Sequence, residues 1–358
     1  MELTMKKTNI LCGILALTFL FTGCSAGAAK NDTNDTTASE AVSESTETEV
    51  PATTAETTKA PEPFKFNPHV HTNLISEFFK DEWWESFYNM CDAMREGKDT
   101  FECIDEECFK ACTHDVFIGT FFPAACTIVV GDGYENGTGK LKYKMDKDKF
   151  LERQAAFEKE IERMLNEAIR TDYSEFEKVM GLYDYMCKYF RYDYEPLDGQ
   201  GIDDFSDYAC LTKKNGICCE FAGAYSYLLL QAGVDATPFE GDGEAGYHGW
   251  TYVVVGGKGY HCDATWGAHG ENPDTRLTLQ YFMMTEQERL DNGFNKETVR
   301  PDLIWPFVEK VTSVFPATDT TFKPFHNYLY FVEMDTVRNV VVFEEVGGER
   351  FELSYGDL

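Results

Sequence analysis

Two adjacent cysteines stand where a turn gives way to an apolar helix, in the stretch NGICCEFA at positions 215–222. An Asn-Gly turn signal precedes the pair, and apolar residues after it recur at helical spacing until Gly233, a typical stop residue. Cys218 is therefore expected in the first turn of a helix. The free N–H groups and the helix dipole favour negative charge there, so we expect a lowered thiol pKa and a nucleophilic thiolate.

A base and an acid that could serve such a thiolate follow downstream, within EAGYHGWTYVVVGGKGYHCDATWG at positions 244–267. His248 opens an apolar strand, GGKG predicts a turn, and Asp263 is expected in the return strand. A thiolate needs a base to hold and deliver its proton, and a carboxylate can fix the tautomer of that base. Cysteine, histidine and aspartate thus occur in the helix-then-hairpin order that a catalytic triad requires.

The register of this hairpin decides whether the imidazole and the carboxylate can meet. A turn centred at 257–258 leaves Asp263 four positions from His248 on the same face, roughly 13 Å away. Direct pairing needs a turn centred nearer 255–256, or a bulge. The sequence leaves this choice open.

The words GIC-x-x-FA, then HGW some thirty residues later, then Y-x-x-D-x-TW, resemble the transglutaminase-like domain of bacterial proteins, within the papain-like cysteine superfamily. The resemblance covers roughly residues 175–290. It implies Cys218 as nucleophile, His248 as general base and acid, and Asp263 as the orienting group. It also assigns Cys219 to a variable position of the motif.

Several residues beside these motifs allow two interpretations. Glu220 replaces the glycine that the family commonly has, and two places after the nucleophile it should point about 200° away, at a tolerable electrostatic cost. Trp250 and Tyr247 are candidates for substrate contact, although Trp250 and Trp266 also fit a core role. His261 is interpreted as structural. The candidates for a second oxyanion donor are Tyr208, Thr212 and Asn215.

The elements that must position these residues predict an α+β fold. Helices are expected at about 77–97, 150–170 and 174–190. Ser174 and Glu177 form a predicted capping box at the start of the last of these helices. Short strands are expected from about residue 237 onward, ending in a terminal β-meander. The expected core is transglutaminase-like (papain-like), with the nucleophile at a helix N-terminus packed on an antiparallel sheet, behind a mostly helical N-terminal extension. The predicted regions are a signal peptide (1–23), a lipid anchor and disordered acidic linker (24–62), the helical or mixed extension (63–172) and the transglutaminase-like domain with its C-terminal β segment (173–358).

The first residues resemble a bacterial lipoprotein signal. Two lysines precede the apolar run Ile10–Phe21, which is too short to span a bilayer, and the run ends in FTGC. The resemblance implies that Cys24 is acylated after cleavage; ordinary signal cleavage or an uncleaved anchor are the alternatives. Residues 25–62 are rich in Ser, Thr and Glu and contain no aromatic residue, so we expect a disordered spacer.

Charge and cysteine number exclude other classes. The 358 residues carry a formal net charge of −30, which disfavours nucleic-acid binding.

Of twelve cysteines, nine remain after Cys12, Cys24 and Cys218 are set aside, so a complete disulfide framework would leave one over. Cys103, Cys108 and Cys112 with His114 suggest zinc, but their spacing does not fit a C-x-x-C knuckle, which leaves one disulfide or free buried thiols. Neither a metal nor another cofactor is expected.

These observations predict a cysteine-nucleophile enzyme on the outer surface of a cell membrane. It would act as a monomer on a peptide or protein substrate, held to the bilayer through acylated Cys24. Water as the acyl acceptor makes it a peptidase or amidase, and an amine makes it a transglutaminase. A catalytically silent module that binds peptides or glycans is the alternative, and a structural surface protein is a third.

Overall fold

The computed structural model of the protein describes residues 60–194, 206–243, 246–268, 276–292, 314–327 and 329–356. The predicted signal peptide, the predicted lipidation site Cys24 and nearly all of the predicted linker lie outside these ranges. Among the helices that the described residues form, none combines the length and apolar character of a membrane span.

The described chain contains both helices and strands, often in runs of two or three of one kind. The helices are α1 (Asp81–Arg95), α2 (Glu106–Cys112), α3 (Asp115–Phe121), α4 (Lys147–Ala168), α5 (Glu175–Tyr189), α6 (Asp207–Lys213), α7 (Cys218–Gln231), α8 (Ala264–Gly267) and α9 (Glu286–Asp291). The strands are β1 (Thr100–Glu102), β2 (Val129–Glu135), β3 (Thr138–Tyr143), β4 (Arg191–Tyr192), β5 (Asn215–Gly216), β6 (Ala236–Gly243), β7 (Gly246–Val255), β8 (Lys258–Cys262), β9 (Tyr330–Asp335), β10 (Val340–Glu344) and β11 (Arg350–Ser354).

Helix α4 forms because apolar residues recur on one face of an otherwise charged segment. Phe150 and Phe157 are buried on that face, and the Asp146 side chain accepts the Lys149 N–H at 3.3 Å. The helix begins at Lys147 rather than at the predicted Phe150, because the capping carboxylate lies just before it.

Helix α5 begins with the capping box predicted from the sequence, which is confirmed. The Glu177 N–H donates to Ser174 Oγ at 3.3 Å, and the Ser174 N–H donates to Glu177 Oε2 at 2.8 Å. Phe176, Val179 and Tyr183 then follow on the buried side, where α5 packs against α7. This contact buries one side of α7.

The sheets of the described part are small and mostly antiparallel. Strands β1, β3 and β2 form one sheet in that order, β6, β7 and β8 form a second, and β9, β10 and β11 form the predicted terminal meander. Strands β4 and β5 pair in parallel over two residues. The α+β prediction is confirmed, although the extension contains the β1–β3–β2 sheet beside its helices.

Helix α7 is surrounded by other elements of the fold. It contacts β6, β7, α5, α6 and α8, and it is buried along almost its whole length, as expected for a helix that is apolar on all sides. Gly233 (φ 80°) follows its C-cap, as predicted. The buried hydrophobic side chains form one cluster from Phe64 to Tyr355, and the predicted domain boundaries stay a prediction.

Candidate active site

Cys218 is the first residue of α7, and the residue before it is an unusual helix cap. Ile217 is extended (φ −96°, ψ 179°), and its hydrocarbon side chain cannot accept the N–H groups of the first turn. Most helices have Ser, Thr, Asp or Asn at this position, which occupies one of those donors. Because Ile217 does not, the N-cap side chain occupies none of the N–H groups in the turn that Cys218 begins.

Glu220 turns back along the helix and satisfies the backbone in front of it. Its Oε2 accepts the Ile217 N–H at 2.9 Å, which is one half of a capping box. Burial raises the pKa of Glu220 against the opposing effect of backbone hydrogen bonds from Ile217 and Ser206.

The register of the β7–β8 hairpin lies between the two registers considered from the sequence. Its turn is formed by Gly256 and Gly257, with φ of 58° and 74°, and Val255 pairs with Lys258. Both turn residues are glycines because a type of turn with two positive φ angles admits other residues only with strain.

This register brings the imidazole of His248 to the carboxylate of Asp263. Continued past β8, it places Asp263 opposite Trp250, two positions from His248 on the same face. Such diagonal neighbours lie about 7–8 Å apart at the backbone, within reach of longer side chains. His248 Nε2 and Asp263 Oδ2 are 2.6 Å apart. The pairing therefore needs no bulge.

Asp263 is not part of the return strand, and that prediction was wrong. Strand β8 ends at Cys262, and Asp263 is the N-cap of the short helix α8. Its Oδ1 accepts the N–H groups of Thr265 at 2.9 Å and Trp266 at 3.0 Å, while Oδ2 meets the imidazole. One fully buried carboxylate thus starts a helix and orients a histidine, so its rotamer is fixed by the cap.

His248 lies close enough to Cys218 for the hydrogen bond and charge of its imidazole to lower the pKa of the thiol. Because Asp263 occupies Nε2, Nδ1 is the ring nitrogen available to the sulfur. The structure therefore brings together the three residues that the sequence predicts as nucleophile, base and orienting group. Cys218 and His248 are 7% and 9% exposed, and Asp263 is fully buried, so only a narrow edge of the site is open.

Electrostatics favour the ionised form of both partners. A hydrogen bond from Cys219, followed by the hydrogen bond and charge of His248, lowers the pKa of Cys218 to about 4, although burial opposes this. Burial also works against the charged imidazole, but the charge and hydrogen bond of Asp263 and the contact with Cys218 raise the pKa of His248 to about 10. These two opposite shifts favour a thiolate–imidazolium pair in the resting site.

Gly249 allows the strand to approach the start of the helix. A Cβ atom at this position would lie 2.8 Å from the Cα of Cys219 and 3.2 Å from the carbonyl carbon of Cys218, both backbone atoms that cannot rotate away. The Gly249 N–H also donates a hydrogen bond that lowers the pKa of Cys218. A residue without a side chain therefore allows the backbones of β7 and α7 to come into contact.

Two tryptophans flank the imidazole in different ways. The ring of Trp266 stacks on His248 with centroids 4.8 Å apart and an interplanar angle of 25°. Trp250 is 3% exposed, and its Nε1–H donates to His261 Nδ1 at 2.9 Å. Of the two candidates for substrate contact, Trp250 therefore has little free surface, whereas Tyr247 is 37% exposed.

His261 is buried and linked to the surface through a carboxylate. With Nδ1 accepting from Trp250, its Nε2–H faces Glu286 Oε2 at 2.8 Å, and Arg289 binds the same carboxylate. Burial lowers the pKa of His261 to about 4, so the ring is neutral at physiological pH. This arrangement supports the interpretation of His261 as structural.

Two residues of the site were not predicted to act there. The Sγ atom of half-buried Cys219 lies 3.9 Å from that of Cys218, and its thiol is also hydrogen bonded to Glu240. The cysteine doublet is visible in the sequence. Glu240 is not, because only the β6–β7 register, which pairs it with Gly249, places it there.

Two of the three predicted donors for an oxyanion, Thr212 and Asn215, are hydrogen bonded elsewhere. The Thr212 hydroxyl donates to the Tyr208 carbonyl at 2.7 Å, and Asn215 Nδ2 donates to Asp193 Oδ2 at 3.0 Å. The guanidinium of Arg153 covers the Tyr208 ring at 3.3 Å. The first-turn N–H groups of α7 are the donors that the geometry offers instead.

The thiols of the extension form a separate cluster. Cys108 and Cys112 have sulfurs 3.7 Å apart, and no disulfide joins the cysteines in the described ranges. His114 instead caps α3 by accepting the Val116 N–H. Searched over the described residues alone, the structure contains no group of three or more His, Cys, Asp or Glu side chains arranged to hold a metal ion.

Comparison with known proteins agrees with this geometry in part of the chain. Residues 163–264 match the Transglutaminase-like superfamily, a stretch that includes the thiol, the imidazole and the carboxylate described above. No curated protein matches the chain.

Solved structures are similar to this chain over 38% of its length. They include a proposed cysteine protease from Cytophaga hutchinsonii (15% identity, 61% of that chain, TM-score 0.25), a protein described as a TGase (18%, 43%, 0.27) and a proposed protease from Parabacteroides distasonis (14%, 35%, 0.24). The chain thus matches less than two thirds of the length of each.

Proposed function

We propose that the part of the chain at residues 163–264, which matches the Transglutaminase-like superfamily, catalyses thiol acyl transfer with Cys218 as the nucleophile. The observation that carries this proposal is the continuous chain of contacts from the Cys218 sulfur through the His248 ring to Asp263 Oδ2 at 2.6 Å. A sulfur that is already ionised, next to a protonated base, is ready to attack a carbonyl group.

In the first half-reaction the thiolate of Cys218 attacks the carbonyl carbon of a carboxamide or peptide bond. The oxygen becomes an oxyanion, for which the first-turn N–H groups of α7 are the available donors. The imidazolium of His248 donates its Nδ1 proton to the departing nitrogen, and ammonia or an amine leaves. The products are a thioester and a neutral imidazole that Asp263 still orients.

In the second half-reaction the imidazole of His248 accepts a proton from the acyl acceptor, which attacks the thioester. The Cys218 thiolate leaves and pairs again with the imidazolium. Water as acceptor gives peptidase or amidase activity, and a primary amine gives a cross-link. We favour hydrolysis, because water is abundant and the sequence shows no recognisable acceptor pocket.

The proposed location follows from the first residues of the sequence. A lipoprotein signal with acylated Cys24 and an acidic spacer over residues 25–62 would hold the domain at the outer surface of a cell membrane. Peptides, cell-wall fragments or other proteins at that surface are the proposed substrates. We propose that the enzyme acts there as a monomer.

A silent binding module is the second candidate. The small exposure of Cys218 and His248 favours this candidate. A ligand that contacts only the exposed edge of the site would bind without its carbonyl group reaching the sulfur. Such a module would bind a peptide or glycan and leave it unchanged.

Mass analysis of a peptide library tests both candidates. The purified protein is incubated with the library, with and without an added primary amine. The variant Cys218→Ala is treated in the same way, and Cys126→Ala, which removes a half-buried thiol of the extension, is the control. Amine incorporation, deamidation and backbone cleavage each change peptide mass in a different way. Any of these that is lost in Cys218→Ala and kept in Cys126→Ala supports the enzyme, and no change in any peptide would support the binding module.

A further inference from the structure

Cys219 stands beside the nucleophile with its own thiol directed at it. The two sulfurs are 3.9 Å apart, within hydrogen-bonding range for sulfur, and the backbone of Cys219 is held by the close approach of Gly249. The mechanism above does not use this second thiol. Because the sulfur of Cys218 is engaged with an imidazolium, the proton between the two sulfurs belongs to Cys219.

We propose that Cys219 is a positioning residue of the reaction, whose thiol donates a hydrogen bond to the Cys218 sulfur and holds it as an anion before attack. This inference rests on the proposed thiol acyl transfer. Hydrogen bonds to a charged acceptor are about twice as strong as those between neutral groups. A donor to the thiolate therefore stabilises the resting site more than a neutral side chain of equal size would.

Glu240 supplies an alternative acceptor for the same proton. The carboxyl group is hydrogen bonded to Cys219 from β6, so the single S–H can donate to the Cys218 sulfur or to Glu240. When Cys218 forms a thioester, its sulfur loses the negative charge and becomes a poor acceptor. The Cys219 thiol can then donate to Glu240 and return when the thiolate is released. No proton leaves Cys219 in this cycle.

Titratable groups near the thiol pair come from several neighbouring elements. They are His248 on β7 with Asp263 behind it, Glu240 on β6, Glu220 on α7 and Asp207 on α6. Burial, followed by the charges of Glu220 and Glu240, raises the pKa of Asp207 well above its usual range, and its carboxyl lies against Gly223. His248 is thus the cation of this group, and Cys219 adds a neutral donor to it.

The pH dependence of Cys218 alkylation tests this role without any substrate. Iodoacetamide labelling of Cys218 is followed by mass spectrometry of its peptide from pH 3 to 10, in the unmodified protein, Cys219→Ala, Cys219→Ser and His248→Ala. Cys126→Ala controls for the loss of another half-buried thiol. Cys219→Val fills the space without a donor and replaces the alanine variant if that variant does not fold.

We expect the labelling midpoint of Cys219→Ala to rise by about one to two pH units, because one charge-assisted hydrogen bond is lost. Its plateau rate at higher pH should rise about threefold per unit of that shift, since a more basic thiolate is a better nucleophile. The serine variant keeps a donor and should stay near the unmodified protein. A merely structural role would move neither the midpoint nor the plateau.

Two results would overturn the inference, and they can be told apart. If the unmodified protein has a low midpoint that rises in His248→Ala but not in Cys219→Ala, the inference is wrong and the proposed function stands. If the unmodified protein has a midpoint near 8.5 that His248→Ala does not change, the thiolate–imidazolium pair does not exist, and both proposals are wrong.

Discussion

Among the described residues, the thiol pair of Cys218 and Cys219 and the thiol pair of Cys108 and Cys112 have opposite acid–base character. The sulfurs of Cys218 and Cys219 are 3.9 Å apart, and those of Cys108 and Cys112 are 3.7 Å apart. The pKa of Cys218 falls to about 4. A hydrogen bond with Cys103 lowers the pKa of Cys108, but the bond with Cys112 and burial outweigh it and raise the pKa to about 12.

The difference lies in what surrounds each pair rather than in the distance between the sulfurs. At the start of α2 the carboxylate of Asp105 accepts the Cys108 N–H at 2.7 Å, so an anion occupies the helix terminus. At the start of α7 the cap is Ile217, and His248 supplies a positive charge. The neutral cap and the cation at the start of α7 therefore favour an ionised thiol, which the carboxylate at the start of α2 does not.

The largest expected effect comes from deleting one sulfur of each pair. Cys218→Ala should lower kcat/KM for thiol acyl transfer by roughly 10⁴-fold or more, because the attacking atom is lost. Cys108→Ala should leave kcat/KM unchanged and cost about 1–2 kcal/mol in the free energy of unfolding, through a small cavity in the extension. Kinetics and urea unfolding of both variants measure this, and equal activity of the two would contradict the comparison.

Next in size is the loss of the orienting carboxylate. Asp263→Asn should lower kcat by about 10²–10⁴-fold, because the amide can direct its N–H toward His248 Nε2 and favour the wrong tautomer. Its oxygen can still cap α8, so the melting temperature should change little. Steady-state kinetics beside thermal unfolding separate the two roles. A variant that keeps full activity would show that the contact between His248 and Asp263 has no part in the reaction.

The pH dependence of kcat/KM tests whether Cys218 and His248 form an ion pair. The folded pKa of Cys218 is depressed to about 4, so activity should fall about tenfold per pH unit below that value, as the thiolate gains a proton. The folded pKa of His248 is raised to about 10, so activity should fall above it, as the imidazolium loses its proton. The measurement is kcat/KM from pH 3 to 11. An acid limb near pH 8 would mean that the resting thiol is neutral, like that of Cys108.

The smallest expected effect tests the contact between β7 and α7. Gly249→Ala introduces a methyl group 2.8 Å from the Cα of Cys219, so the two backbones must separate by a few tenths of an ångström. We expect a loss of about 1–3 kcal/mol in the free energy of unfolding and a partial loss of activity. The matched change Gly347→Ala, where an added Cβ meets nothing within 4 Å, should have neither effect. Equal behaviour of the two variants would rule out close approach as the reason for Gly249.

Local features of this chain could be predicted because they depend on neighbouring residues. The capping box at Ser174, the helix that starts at Cys218 and the stop at Gly233 each follow from a few residues and their spacing. The lipoprotein signal, the linker and the surface location stay predictions. Whether the three triad residues act in catalysis also stays a prediction, although the structure places them together.

Sequence by itself determined the order of the chemical groups and the kind of element that carries each, because helical spacing and turn residues act over short distances. Only the tertiary structure decided the turn at Gly256 and Gly257, the place of Asp263 at the start of α8 and the contact of Cys219 with Glu240. A one-residue change of register in a hairpin alters every pair across it. Register depends on the packing of β6 and α7 against β7, which no local pattern encodes.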